Sequence, residues 1–400
     1  MSLYQWNQVV DRRGTGSIKW DWMPRLCSRE DLLPMGIADM DIPCAPEILQ
    51  ALRNKLEDRI FGYSLPSDHY YESLMRWMEE RHHFPIQREW IVPSSRVVSA
   101  VDYALQVVSQ PGDEILLLSP IYDPFDRIIL GNGRTLVRSS LRPDSAGIWR
   151  FSLEDLEQRV TPRTRALIFC NPHNPIGRVW TREELEALGE FCLQHGLVIL
   201  CDEIHHDIVF RPHTVFASLS PEIARITVTF TAPSKTFNLS GLHAANTIIP
   251  DPELRRRFAA LQEVTHAGEP NCFVEAAMTT AYDQCGPWVD ELLDFLKGNL
   301  TWFAQELHRA APQLRADPPE GTYLGWVDCS ALGLTGPELA GFFVKHCGVG
   351  VNAGQGYGPE GASFVRINLA CPRQSVEEAV RRIAAGVQYR TDSIKGIKSY

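Results

Sequence analysis

From Glu114 to Ile249 the chain repeats one pattern: a short apolar run, a turn of small and polar residues, a helical stretch, then another apolar run. Ile115 to Leu118, Arg165 to Cys170, Leu197 to Cys201, Ile226 to Phe230 and Ala245 to Ile249 read as strands, bounded by turn residues and too short for helices. Thr181-Arg182-Glu183-Glu184 is a capping box that opens a helix reaching about His195. Strands alternating with helices place the chain in the α/β class, as a three-layer α/β/α large domain built on a mainly parallel, doubly wound sheet. Such sheets take ligands just beyond the C-terminal ends of their strands, and that is where this sequence gathers its polar residues.

The flanking segments are different. Pro46-Glu47 marks a helix start, Phe61-Gly62-Tyr63-Ser64 an aromatic-glycine loop, and Tyr70 to His83 an amphipathic helix. The strand Trp90-Ile91-Val92 runs through Pro93-Ser94-Ser95 into a helical pattern from Val97 to Val108, and a strand-to-helix turn of this kind exposes N–H groups at the positive end of a helix dipole. Asp251-Pro252 starts a further helix, and helical patterns follow from about Asn271 to Gln284 and from Pro287 to about Arg309. Beyond Gly321 the rhythm becomes strand Thr322 to Asp328, helix Pro337 to Cys347, strand Ser363 to Asn368 and helix Ser375 to about Val387, with Ser375-Val376-Glu377-Glu378 as a second capping box. This is a smaller α+β domain. The stretch before Pro46, with Tyr4, Trp6, Trp20 and Trp22, has little periodicity and reads as an arm that packs on something else, a second subunit among the candidates; the tail 391–400 reads as frayed. The expected division is 1–48 as an arm belonging to the small domain, 49–290 as the large domain and 291–400 as the C-terminal small domain.

A chain of 400 residues is long enough for two domains, and 44% hydrophobic with 22% charged residues is ordinary for a soluble globular protein. No apolar run approaches the ~18 residues needed to span a bilayer, and the N-terminal sequence lacks the basic-then-apolar order of a secretory signal. A formal net charge of −10 without a basic cluster argues against a nucleic-acid partner. The ten cysteines are scattered, with no CxxC, and Cys170, Cys192 and Cys201 sit in apolar runs. The expectation is a reduced, cytoplasmic protein with neither disulfides nor a metal site.

Lys235 sits in ITVTFTAPSKTFNLSG, between the strand Ile226 to Phe230 and an apolar-glycine segment, flanked by the hydroxyls of Thr231, Ser234 and Thr236. A desolvated amine with a lowered pKa can form a Schiff base, and neighbouring hydroxyls and amides can hold a phosphate, the layout that pyridoxal 5'-phosphate (PLP) requires. Three more residues stand at strand ends of the same sheet. A buried carboxylate such as Asp202 can keep a pyridine nitrogen protonated, an amide such as Asn174 can donate to a ring oxygen, and an aromatic face such as Tyr122 can stack on a ring. His205, three residues after Asp202, is within reach of the same oxygen. Taken singly each has a plainer reading: Lys235 a helix cap, Asp202 a cap, Asn174 a turn residue, Tyr122 core. His173, His206 and Asp207 read as turn or supporting residues, and His243 as a solvated or packed histidine, with a place near the phosphate as the alternative.

The motifs NPHNPIG, DEIHHD and SKTFN resemble those of fold-type I PLP enzymes, the aspartate aminotransferase superfamily. DRRGTGSIKWD, IADMD, FGYS, PIYDPF, NPHNPIGRVW, DEIHHDIV, APSKTFN, PEGTYLGW and FVRINLACPR are similar, more closely, to the MalY/PatB-type cystathionine β-lyases, and they are spread over nearly the whole chain. The resemblance implies that Lys235 is the Schiff-base lysine, Asp202 the pyridinium partner, Asn174 and His205 the donors at the 3-oxygen, and Tyr122 the stacking ring. It implies that Ser234, with the backbone around Arg96 and Val97, holds the phosphate, and that Tyr63 reaches it from the second subunit of a homodimer. Arg366 matches the arginine that clamps a substrate α-carboxylate, with Asp39 and Asn352 also on the substrate side. The implied activity is α,β-elimination on cystathionine or a related cysteine S-conjugate, giving thiol, pyruvate and ammonia. A PLP aminotransferase, an enzyme for a larger cysteine S-conjugate, and a binding protein that keeps the fold are the alternatives. The chain departs from the lyase pattern at Ser95-Arg96, where Pro-Gly is usual, at His243 to Asn246, and at Val351 to Gly358.

Overall fold

The structure, a computed structural model, describes residues 4–397, and from 393 onward the helical backbone alone. Internal contacts divide the described chain into two compact units, 44–174 with 178–290, and 4–43 with 175–177 and 291–397.

The larger unit is built on a seven-stranded sheet. Its strands are β1 (Ile91–Ser94), β2 (Glu114–Ser119), β3 (Thr135–Ser140), β4 (Thr164–Cys170), β5 (Val198–Asp202), β6 (Thr227–Thr231) and β7 (Ala245–Ile248), in the order β1-β7-β6-β5-β4-β2-β3. Pairings from β6 to β3 are parallel, and β7 alone is reversed between β1 and β6. Its longer helices are α1 (Pro46–Leu56), α2 (Asp68–His82), α3 (Val97–Val108), α4 (Arg182–His195), α5 (Pro252–Thr265) and α6 (Val274–Gln284). A parallel sheet covered on both faces calls for strands apolar on both sides, and every residue of β2 is buried. Alternate residues of β4 then serve different layers. Ile168 joins Val101 and Leu105 of α3 and Phe258 of α5 in one core. Phe169, pointing the other way, meets Trp180 and Phe216. Removing a side chain of this kind from water contributes about 2–3 kcal/mol.

The predicted strands are all present with small end shifts, and α3 has the bounds read from the sequence. β3 was not legible, because TLVRSS is an edge strand whose polar side chains hide the alternation. The capping box at Thr181 is formed in both directions. The one expected at Ser375 is not. The last helix begins at Arg373, the Ser375 amide donates to the Pro372 carbonyl, and Glu378 is held by Arg381 and Arg382. Proline sets that start, and the Ser-x-x-Glu spacing falls inside the helix.

The smaller unit carries a four-stranded antiparallel sheet of β8 (Arg315–Ala316), β9 (Leu324–Asp328), β10 (Asn352–Ala353) and β11 (Phe364–Asn368), in the order β8-β9-β11-β10. Helix α7 (Gly286–Ala310) carries the chain into it and α8 (Arg373–Ile397) closes it. The tail is therefore helical as far as Ile397, and residues 398–400 lie outside the described ones. The expected helix Pro337 to Cys347 is an α-helix only over Gly336–Phe342, with a wider π turn over Phe343–Cys347. Among the described residues no helix is long and apolar enough to cross a membrane.

The N-terminal arm is tied to its own unit. Trp6 stacks on Phe295, and the Trp20 indole donates to Asp41. Lys19, 1% exposed, pairs with Asp41 at 2.7 Å and donates to the Asp39 carbonyl, while Arg12 binds both carboxylates. Removing Lys19 would leave Asp41 with Arg12 and the Trp20 indole but take away one buried hydrogen bond between charges. Lys19→Ala is expected to destabilise the protein by about 1.5–3 kcal/mol, measured by urea denaturation.

Candidate active site

Three neighbouring strands end together. Asp202, the last residue of β5, faces Cys170 of β4 and Phe230 of β6 across the ladder. The pairing continues past the strand ends, with the Asn171 amide donating to the Asp202 carbonyl and the Glu203 amide to the Phe230 carbonyl. This rigid edge holds Asp202 buried, 6% exposed. Its Oδ1 accepts the Ile204 amide at 3.0 Å, and its Oδ2 has the Cys170 thiol 4.0 Å away. Burial raises its pKa to about 6, opposed by the Ile204 N–H and by the positive charges of Lys235 and His206.

That opposition brings Lys235 into the charge environment of Asp202. The amine stands on a single turn, Pro233–Thr236, directly beyond β6. The turn is closed by the Phe237 amide on the Pro233 carbonyl and the Leu239 amide on the Ser234 carbonyl, and Thr236 and Phe237 beneath it are buried. Ser240 adds its hydroxyl to the Ser234 carbonyl. Arg96 is the extended residue before α3, its carbonyl taking the Ala100 amide, and Val97 begins the helix buried. The Arg96 guanidinium contacts both ring nitrogens of His243, just after the Ser240–Leu242 turn. The imidazole is held below its ordinary pKa by burial and by that cation. His243 is therefore packed on Arg96, beside the start of α3.

Tyr122 and Asn174 ride on loops fastened to each other. His173, buried and with its pKa pushed down to about 4 by burial, contacts the Pro120 carbonyl at 2.8 Å, two residues before Tyr122. The next residue, Asn174, turns its backbone amide toward the Cys170 thiol, beside Asp202. His205 is buried in the turn after Asp202, its carbonyl taking the Ile208 amide. Lys235, Asp202, Asn174, His205, Tyr122, Ser234, Arg96 and Val97 thus belong to the strand ends and turns of one unit. Tyr63 does not join them; it is fully exposed, on a stretch where Ile60 is 81% and Leu65 78% exposed.

In the smaller unit Arg366 and Asn352 face each other across β11 and β10. Arg366 is buried, donates to the Gly36 carbonyl at 3.0 Å and lies 5.0 Å over the ring of Tyr357, whose hydroxyl accepts the Asn352 amide at 2.9 Å. Tyr357 is a neighbour the sequence reading missed, though it stands in the divergent VNAGQGYG stretch. The Asp39 carboxylate is engaged by Arg12 and Lys19.

An amine on a turn, a buried carboxylate with a thiol 4.0 Å from one oxygen, and an amide and imidazole nearby fit a ring bearing an aldehyde and a basic nitrogen. A cationic N–H at Asp202 would replace the solvation that burial removes. This fold and this edge define the class: the sequence pattern of the family Aminotransferase class I and II matches residues 30–383, and the chain belongs to that family, whose fold-type I members depend on PLP. Within it, the chain is 39% identical to Cystathionine beta-lyase PatB of Bacillus subtilis (strain 168), over 94% of this chain and 98% of that protein. It is 33% identical to Protein MalY of Escherichia coli (strain K12), over 94% and 97%. Cystalysin from Treponema denticola, whose crystal structure contains a pyridoxal 5'-phosphate cofactor, superposes with a TM-score of 0.93 at 32% identity, covering 97% of this chain and 99% of that one.

The raised Asp202 pKa has a stability consequence. Raised from 3.8 to about 6, it makes the folded chain bind the proton more tightly than the unfolded one. The contribution of Asp202 to the stability of the cofactor-free protein therefore falls as pH rises from about 4 to 6, by about 3 kcal/mol, and stays lower above. Asp202→Asn should raise the melting temperature of the cofactor-free protein at pH 8 and leave it unchanged at pH 4, read by calorimetry.

Proposed function

We propose that this chain is a PLP-dependent carbon–sulfur lyase acting on cystathionine or a related cysteine S-conjugate. The observation that carries the reading is the dry Asp202 carboxylate in the field of the Lys235 amine at the strand ends, in a chain 39% identical to a cystathionine β-lyase over nearly its whole length. In this reading Lys235 holds the cofactor's aldehyde carbon and Asp202 its ring nitrogen. Asn174 and His205 hold the 3-oxygen, Tyr122 covers the ring, and Ser234 with the N–H groups at Arg96 and Val97 takes the phosphate. Bound PLP supplies an electron sink for the bond broken at Cα.

The protein's own groups do the rest. Arg366 takes the substrate α-carboxylate in its planar fork, with its plane set by Tyr357 and the Gly36 carbonyl. Asn352 positions Tyr357, and Asp39 supports the adjoining segment through Arg12 and Lys19. The Lys235 amine would take the Cα proton as general base. The β-substituent then leaves as a thiolate with the bonding pair, and with one water consumed the products are thiol, pyruvate and ammonium. Transamination uses the same groups and differs in where Lys235 returns its proton.

A homodimer is part of the proposal. The apolar exposed stretch Ile60, Phe61, Tyr63 and Leu65 is suited to a second copy, and a partner's tyrosine at that position would complete the phosphate end. The cytoplasm is the proposed compartment, supported by ten free cysteines, most of them buried.

Purified protein incubated with cystathionine or an S-alkyl cysteine is expected to release pyruvate and free thiol with no keto acid added; strict dependence on a keto acid would replace the lyase with an aminotransferase. Lys235→Ala should abolish turnover together with the visible absorbance that borohydride bleaches. Arg366→Ala should raise KM roughly tenfold to a hundredfold, the weight of a hydrogen bond to a charged group, while PLP stays bound. Sedimentation checks the dimer, which a monomeric holoenzyme would exclude.

A further inference from the structure

Behind the strand ends lies a buried knot whose centre is Asp207, with four donors around its carboxylate. Oδ1 accepts the Trp77 indole N–H at 3.0 Å and faces the His82 Nε2 at 2.7 Å. Oδ2 accepts the Thr236 hydroxyl at 2.7 Å and has the His206 Nε2 at 3.4 Å. Asp207, His82, His206, Thr236 and Trp77 are all buried. The His82 and His206 rings are stacked 4.1 Å apart at 19°, and the His213 ring stands edge-on to both.

The placement along the chain matters more than the burial. Thr236 is the residue after Lys235, and the next residue, Phe237, packs on Trp77 at 5.6 Å. His206 and Asp207 end the turn that begins at Asp202 and contains His205, closed by the His206 amide on the Glu203 carbonyl. One carboxylate therefore grips the turn carrying the amine and the turn carrying the acid, and anchors both to α2. We infer that Asp207 is a positioning residue, which through Thr236 and His206 fixes Lys235 relative to Asp202 and His205. The inference rests on the proposed reading of Lys235 and Asp202 as the pair that holds the cofactor.

The protonation of the knot agrees with this geometry. Burial pushes His82 down to about 4, assisted by the neighbouring His206. Burial also opposes charge on His206, but Asp207 outweighs it and raises that imidazole. Burial works against ionised Asp207 too, and His206 and His82 hold it well below the usual carboxylate range. The carboxylate thus favours charge on His206, while burial disfavours it on His82. Among the described residues His82, His206 and Asp207 are also the group close enough together to hold a metal ion. Rings stacked nearly parallel aim their nitrogen lone pairs side by side, not at a common point, and these nitrogens already face the carboxylate. The geometry favours the hydrogen-bonded knot.

Thr236→Val removes the hydroxyl and keeps the shape, Thr236→Ser restores it, and Asp207→Asn removes the charge. Three readings are taken: PLP affinity by visible absorbance, kcat and KM, and the pH profile of Lys235 acetylation by acetic anhydride in the cofactor-free proteins, followed by mass spectrometry. The Thr236→Val protein is expected to bind PLP about tenfold or more weakly, the effect of losing a hydrogen bond to a buried charge. Its kcat should fall with KM little changed and its Lys235 labelling profile should shift, and Thr236→Ser should match the wild type in all three. A folded Thr236→Val protein with wild-type PLP affinity and wild-type labelling would overturn the inference, whatever its melting temperature. So would a stoichiometric metal in the purified wild type that is lost in Asp207→Asn. If the wild type itself binds no PLP, the proposed function fails, and the labelling comparison still decides whether Asp207 and Thr236 position the lysine.

Discussion

A carboxylate at the dry end of a strand is unstable as an anion unless something cationic or strongly donating faces it, and Asp202 is in that position. β4, β5 and β6 end side by side, and their backbones continue to pair just past the ends, so the acid can neither swing into water nor be bypassed by it. A sheet edge alone would make this a defect. The Lys235 amine on the turn after β6 partly offsets it, and a protonated heterocycle would offset it further. The chemistry of this edge follows from one buried carboxylate held still by a sheet.

Holding it still takes several layers. The strands are buried on both faces, so the edge cannot slide without breaking two apolar cores. The loops after β2 and β4 are fastened by His173 on the Pro120 carbonyl. The turns bearing Asp202 and Lys235 are gripped from behind by Asp207, itself held by a tryptophan, a threonine and two histidines. In the smaller unit the same logic fixes Arg366, between the Tyr357 ring and the Gly36 carbonyl. Stability is given up locally to keep charged groups in reactive positions, and the neighbouring packing supplies the compensation.

Much of this was legible before any coordinates. The strand-helix rhythm has a period, and Lys235, Asp202, Asn174 and Tyr122 fall just past strand ends, so the sheet rule was enough to collect them. The misreadings have local causes. The Ser-x-x-Glu of Ser375 to Glu378 is a spacing without a helix start, because Pro372 had already set one. The N-terminal arm was expected with the small domain, but the contacts that tie it down, Phe295 for Trp6 and Asp41 for Lys19, are ones that periodicity cannot pair. Asp207 was read as a turn or supporting residue, but what it supports was not legible, because three of its contacts, Trp77, His82 and Thr236, lie far away in sequence.

The sequence by itself determined the class of fold, the order of the strands along the chain and the kinds of group that stand at their ends, because these depend on local periodicity and on residue chemistry. Only the tertiary structure decided the strand order across the sheet, the burial that raises Asp202, the exposure of Tyr63 and the gathering of His82, His206 and Thr236 around Asp207. Those depend on which distant segments exclude water from one another, and no spacing along a chain records that.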